Sequence, residues 1–397
     1  MELSGRRGAY RLAWLRAVGP LAALTVLLCA AGCSSSESEP TGGPWNPKTA
    51  ASYLDHRLNW WMHWSGAQRD HGTFCVSCHT AVPYALARAR LRPLLGETGA
   101  ESPESRLLAN VTQRVRLWAQ TSPFYSDREY GPGKSAQSRG TEAVLNALIL
   151  AARDAHVGRL SSDTQSAFDH MWALQRSAGE DAGSWAWLDF NLAPWEAADT
   201  DYYGAALAAI AVGSAPEHYA TTPAIQEHMR LLRDYLQRTY PTHSLHEHLL
   251  LLWAATELPG LIEPSRREEI VASTLRVQNV DGGWSLYTLY RGARKTDTLR
   301  ALQSDGYATG LVSLVLQRAG VNGEAMQRAL SWLDNGQRQM LGSWVTYSLN
   351  KRRDPSSPIG RFMSDAATAY AVLALTEVPR AAQQAAALRS SRVRAAP

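Results

Sequence analysis

Internal repetition constrains the fold of this chain more than any other feature. Five Ala- and Leu-rich segments open on a short polar motif, marked by Glu142, Asp201, His246, Asp305 and Asp365 at intervals of 59, 45, 59 and 60 residues. Most of these motifs place Ser or Thr ahead of an acid, which suits a helix N-terminus through capping and the helix dipole. A unit of this length holds two helices, so the repeats predict an all-α chain built from helix pairs.

A second repeat runs out of phase with the first. Its clearest copy is Gln278-Asn-Val-Asp-Gly-Gly-Trp284, and looser copies run from Gln175 to Trp185 and from Gln337 to Trp344. A glutamine at a helix end can bind backbone groups of the next turn, glycines permit the turn, and the tryptophan can pack over the junction.

This second series resembles the QW repeats of squalene–hopene cyclases and related terpenoid cyclases and prenyltransferases, over roughly residues 105–378. The resemblance implies an (α/α) toroid, in which inner helices surround a funnel and outer helices enclose them. We therefore predict an all-α fold with a terpenoid cyclase/prenyltransferase-like toroid over residues 101–379. An Arg/Ala/Ser-rich tail, residues 380–397, follows it and is expected to be disordered.

A separate motif precedes the repeats. Cys75-Val-Ser-Cys78-His79 has the spacing of a c-type haem attachment site, in which two thiols form thioethers and the histidine ligates the iron. A disulfide or redox dithiol and a structural metal site remain alternatives, although His79 favours haem. We assign residues 51–100 to a short helical haem c segment, with Met62 or His63 as candidates for the second axial ligand.

The N-terminus predicts export. Four arginines precede an apolar run over residues 21–31, and Ala30-Ala-Gly-Cys33 resembles a bacterial lipoprotein signal. We predict a signal peptide over residues 1–33, lipidation of Cys33 and a flexible tether over residues 34–50. Ordinary signal cleavage and a retained anchor are the alternatives. Each places the protein outside the cytoplasm, in the periplasm or cell envelope.

Charge excludes one class of partner. The chain has a net charge of +4, but without the signal it carries 36 basic and 35 acidic residues. This near balance gives no electrostatic case for nucleic acid binding.

The resemblance to cyclases also suggests a candidate catalytic pair. Asp199 and Asp201 match the first two acids of the D-x-D-D motif that the cyclases use to protonate a polyene, whereas Tyr202 replaces the last acid. The favoured interpretation is that Asp201 is an N-terminal helix residue, like Asp305 and Asp365. Zinc-dependent prenyl transfer is disfavoured, because no cysteine follows Cys78.

Two further clusters are candidates. His243, His246 and His248 are close in sequence, but histidines two apart on a helix do not share a face, which disfavours a metal site. An aromatic loop, which ends at Trp195 and Glu196, could line a hydrophobic opening or simply pack in the core.

The leading hypothesis is an exported, lipid-anchored redox or haem-binding protein whose toroid holds an isoprenoid or other hydrophobic small molecule. One alternative is a squalene/hopene-cyclase-like isomerase that uses Asp201. Another is a non-catalytic module of a membrane electron-transfer complex, which would bind a redox partner protein.

Overall fold

The computed structural model of the protein describes residues 44–98, 102–290, 302–338 and 340–377. The predicted signal peptide, Cys33, the first part of the tether and the C-terminal tail lie outside these residues. Helices of 12 residues or more within the described ranges are α1 Pro47–His63, α2 Ala81–Leu95, α3 Pro103–Arg116, α4 Lys134–Val157, α5 Ser162–Ala173, α6 Asp201–Ser214, α7 Gln226–Thr239, α8 Leu245–Glu257, α9 Pro264–Arg276, α10 Gly306–Arg318, α11 Glu324–Asn335 and α12 Phe362–Leu375.

The even-numbered helices form the inner ring. Helices α2, α4, α6, α8, α10 and α12 contact one another in that order, and α12 returns to α2. Residues 363–374 of α12 are buried without interruption. Small side chains permit this packing, since a Cβ on Gly310 of α10 would lie 2.6 Å from the backbone nitrogen of Ala371. The all-α toroid predicted from the repeats is thus confirmed.

The odd-numbered helices pack outside the ring and bury one face each. In α7, Met229, Leu232, Tyr235 and Leu236 are buried at helical spacing, while the opposite face is polar. The sequence suggested that each of the five residues that mark the repeats lies at a helix start, and for one of them this is wrong. Glu142 is two turns inside α4, because that helix begins at Lys134, directly after a turn through Gly131 and Gly133.

The second repeat forms the same junction three times. The side-chain amides of Gln175, Gln278 and Gln337 donate to the carbonyls of Gly183, Gly282 and Gly342 at 3.1, 2.8 and 3.1 Å. The indole nitrogens of Trp185, Trp284 and Trp344 each donate to a carbonyl near the end of the preceding outer helix. The expected roles of glutamine and tryptophan are therefore seen in each copy.

The N-terminal helices complete the ring. We expected residues 51–100 to pack as a separate segment on a toroid of residues 101–379. Instead, α1 and α2 are a sixth outer–inner pair, and α2 lies between α4 and α12. Asn46 caps α1, and its carbonyl accepts from Gln337 at 3.2 Å. The last residues of the predicted tether, from 44 onward, are thus part of the ring.

Aromatic side chains fill the centre of the ring. Tyr203, His246, Tyr307 and Tyr370 come from four successive inner helices and are all buried. The Tyr307 hydroxyl links His246 to Trp195, because it lies 3.0 Å from His246 Nε2 and accepts a hydrogen bond from Trp195 Nε1 at 3.2 Å. Where the sequence resemblance implied an open funnel, the core at this level is packed.

No helix within residues 44–98, 102–290, 302–338 and 340–377 is both long enough and apolar enough to cross a bilayer.

Candidate functional site

A cavity of about 330 Å³ opens above the aromatic centre. Three loops that precede inner helices line it: residues 75–79 before α2, residues 188–196 before α6 and residues 348–363 at the start of α12. Six large aromatic rings contribute to its wall: Trp61, Trp64, Tyr125, Phe190, Trp195 and Phe362. Arg353, Glu196, His79 and Cys75 provide the ionisable groups.

The loop that carries the cysteines is clamped from both sides. The Cys75 amide donates to the Ala67 carbonyl at 2.8 Å, and Trp61 Nε1 donates to the Cys75 carbonyl at 2.7 Å. The side chain of Asn110 bonds both the amide and the carbonyl of Phe74. These contacts fix the loop before α2 begins.

His79 presents one ring nitrogen to its own neighbour. Its ring stacks on Phe362 with centroids 3.8 Å apart, and its Nδ1 lies 2.8 Å from the Thr80 hydroxyl. The Thr80 hydroxyl in turn donates to Asp365 at 2.7 Å. His79 also lines the cavity. Burial, and then the nearby charges of Arg57 and Arg353, hold the pKa of His79 well below its usual value, so the ring is neutral.

The two cysteines are buried and not joined by a disulfide. Cys75 lines the cavity beside Tyr125, and burial raises the pKa of its thiol to about 12. Cys78 does not contribute to the described cavity wall. It lies near Tyr203 and Tyr370, whose phenol pKa values are raised first by burial and further by the charge of a Cys78 thiolate.

Glu196 is an acidic group in the cavity wall. Burial raises the pKa of its carboxyl to about 7, and the charge of Lys134 opposes this only in part. In the described part of the chain, no donor forms a hydrogen bond to this carboxyl. The sequence placed Glu196 at the end of an aromatic loop but gave it no role.

The donor set can be compared with the needs of c-type haem. A histidine that binds a metal usually donates its second ring N–H to a partner, and Nδ1 of His79 has such a partner in the Thr80 hydroxyl at 2.8 Å. Cys75 lies in the same aromatic wall. His79 and Cys75 therefore fit the group as they stand, whereas Cys78 would have to turn toward the cavity to form the second thioether.

The candidates for a second axial ligand lie elsewhere. Met62 is buried but does not line the cavity, and His63 is exposed with its Nδ1 2.7 Å from the Asn59 carbonyl. Met363, which sequence reasoning did not select, contributes to the cavity wall. Nothing in its local sequence distinguishes it from other buried methionines.

The candidate catalytic acids are engaged in the scaffold. Arg176 Nη1 lies 2.5 Å from an Asp201 carboxylate oxygen, and Tyr290 donates to Asp199 at 3.2 Å. Neither acid lines the cavity. This arrangement favours the interpretation of Asp201 as the first residue of α6, tied to the loop after α5.

The three clustered histidines point to different partners. His243 packs on Tyr202, His246 on Tyr307, and His248 on Tyr240. Within the described residues, no group of three or more His, Cys, Asp or Glu side chains is arranged to hold a metal ion.

Comparison with known proteins bears on the fold alone. No family model and no curated protein matches the sequence. A solved polysaccharide lyase structure is similar over 85% of this chain and 98% of its own, with a TM-score of 0.50 and 12% sequence identity. At this identity the likeness supports the all-helical toroid and carries no activity over to this chain.

Proposed function

We propose that the protein is an exported c-type haem protein with a redox or haem-binding role, built on an (α/α) toroid of terpenoid-cyclase type. One observation supports this proposal above the others. The histidine and the first cysteine of the C-x-x-C-H motif, His79 and Cys75, both line the same aromatic cavity, and the Thr80 hydroxyl engages Nδ1 of His79 at 2.8 Å.

The chain offers a group for each part of the cofactor. Cys75 and Cys78 would form the thioethers, His79 would ligate the iron, and the cation of Arg353 in the cavity wall would pair with a propionate. When bound, haem supplies one-electron redox chemistry. The aromatic wall would exclude water, and the contacts with Thr80 and Phe362 would orient His79.

The same proposal includes location and partners. Haem attachment to such a motif occurs outside the bacterial cytoplasm, which agrees with the predicted signal and with lipidation of Cys33. We propose an isoprenoid-like small molecule or a redox partner protein as the other participant.

The test is a spectrum. The full chain, produced in a host competent for cytochrome c maturation, should give a pyridine haemochrome and remain red after acid–acetone extraction. Cys75→Ser and Cys78→Ser should each shift the haemochrome band, because one thioether is lost, and the double variant should release its haem on extraction. Wild-type protein from a host that lacks the maturation system is the control. A colourless product from the competent host would contradict the proposal.

A further inference from the structure

We infer that Thr80 and Asp365 are positioning residues that fix the ring proton of neutral His79 on Nδ1 and so leave Nε2 as the electron-pair donor of the ring. This relay of hydrogen bonds, from His79 through Thr80 to Asp365, is present without a cofactor. Its purpose, to prepare His79 for iron, rests on the proposed function.

The direction of each hydrogen bond follows from the partners of Asp365. Its carboxylate is held by Arg57 through Nε at 2.6 Å and Nη2 at 2.9 Å, and Tyr53 donates to it at 2.9 Å. Since both oxygens face the guanidinium fork, the group is a carboxylate that can only accept. The single hydrogen of the Thr80 hydroxyl is therefore donated to Asp365.

This leaves the oxygen of Thr80 as an acceptor toward His79. The only ring atom within reach is Nδ1, at 2.8 Å, so Nδ1 must carry the proton. Phe362 stacks on the ring face and Trp61 meets it edge-on at 4.9 Å, which prevents the ring from turning over. The tautomer and the orientation of His79 are thus set by separate contacts.

A purely structural explanation is that Asp365 anchors α1 on α12. The neighbouring inner helix provides the comparison. Asp305, 60 residues earlier in the repeat, also accepts from a threonine, Thr346, at 3.0 Å, but no histidine is attached to that threonine. The Thr346–Asp305 hydrogen bond is therefore a matched control, because it has the same threonine–aspartate contact but no histidine ring to position.

The test compares Thr80→Val, Thr80→Ser and Thr346→Val with the wild type in the full chain. Selective ¹⁵N-histidine labelling and long-range ¹H–¹⁵N NMR report which ring nitrogen is protonated, with the His79 signals assigned from their loss in His79→Gln. The wild type, Thr80→Ser and Thr346→Val should show Nδ1–H. Thr80→Val should lose that preference, because valine offers no acceptor. An Nε2–H ring in the wild type, or an unchanged tautomer in Thr80→Val, would overturn the inference.

The haem-loaded protein gives the second readout. An outer partner that accepts from the ring N–H makes the histidine more basic and stabilises ferric iron, so Thr80→Val should have a more positive midpoint potential than Thr80→Ser. Equal potentials would contradict the role toward iron. If no variant attaches haem, the proposed function fails, while the NMR result still decides whether the relay fixes the tautomer.

Discussion

At the scale of single residues, His79 shows how distant parts of the chain give a short motif its chemistry. The sequence identified the two cysteines and the histidine from their spacing alone. It could not show that Asp365, which lies 285 residues after Thr80, accepts a hydrogen bond from the Thr80 hydroxyl. From the repeat alone, an acid at this position is interpreted only as a residue of a helix start. The orientation of Cys78 was equally hidden, since spacing does not say which way a side chain turns.

Glu196 yields a prediction about stability and pH. Its pKa is about 7 in the folded protein and near the ordinary glutamate value of 4.5 when unfolded. Between these values the folded state keeps a proton that the unfolded state releases, so stability falls as pH rises, by at most about 1.4 kcal/mol per pH unit. Glu196→Gln removes this contribution and should therefore gain stability over the wild type as pH rises.

Urea unfolding at a series of pH values would measure this difference. At pH 4, where both states of the wild type bind the proton, the variant and the wild type should be close in stability. By pH 7.5 the variant should be more stable, by up to about 3 kcal/mol. Glu180→Gln, at an exposed position, is the matched control. A difference that is constant across the series would contradict the raised pKa of Glu196.

The buried ion pair of Arg114 and Glu142 supports a second prediction at this scale. Both side chains are fully buried, and Arg114 Nη2 lies 3.1 Å from Glu142 Oε2. Arg114→Met leaves the carboxylate without its main partner and should lower the free energy of unfolding by about 3–5 kcal/mol. The double variant with Glu142→Leu should recover part of the loss, which denaturant titration would show. A double variant no more stable than Arg114→Met would contradict the explanation that the unpaired Glu142 carboxylate causes the loss.

At the scale of elements, the QW junctions were the part of the fold most accessible from sequence. Each is local, since the glutamine, the glycine and the tryptophan lie within about ten residues and act through one turn. The second contact of each glutamine could not be predicted from the sequence. Gln175 also donates to the His228 carbonyl and Gln278 to the Ala325 carbonyl, and each of these lies on the next outer helix.

Gln337 provides the prediction at this scale, because its second contact is with Asn46 at the start of α1. Its Oε1 accepts from the Asn46 amide at 2.6 Å, and its Nε2 donates to the Asn46 carbonyl at 3.2 Å. Gln337→Ala leaves the Asn46 amide without its partner, while the carbonyl keeps the Ala50 amide and the Thr49 hydroxyl, and should cost about 1–3 kcal/mol. Hydrogen exchange should show faster exchange at the amides of residues 44–50.

Gln278→Ala is the matched control for that experiment. It removes the same kind of junction between α9 and α11, so a similar loss of global stability is expected. The amides of residues 44–50 should keep their protection in this variant. If both variants loosened the N-terminus equally, the direct contact between Gln337 and Asn46 would not be what holds it.

At the scale of the whole molecule, the repeats predicted a toroid but not how the ring closes. The first helix pair carries no marker acid and no QW junction, and the C-x-x-C-H motif in its place suggested a separate segment. The structure makes that pair a structural member of the ring. A cavity that contains the motif is therefore built jointly by the first, middle and last parts of the chain.

Removal of the first pair tests this closure. A chain that begins at residue 102 would expose the faces of α4 and α12 that pack on α2, and Asp365 would lose Arg57, Tyr53 and Thr80 together. A buried carboxylate without partners and two uncovered apolar helices should abolish cooperative unfolding. Co-expression of residues 44–100 as a second chain should restore it, as followed by circular dichroism and size-exclusion chromatography. Two-state unfolding of the truncated chain alone would instead show that residues 102–377 form a complete toroid to which the haem segment is merely attached.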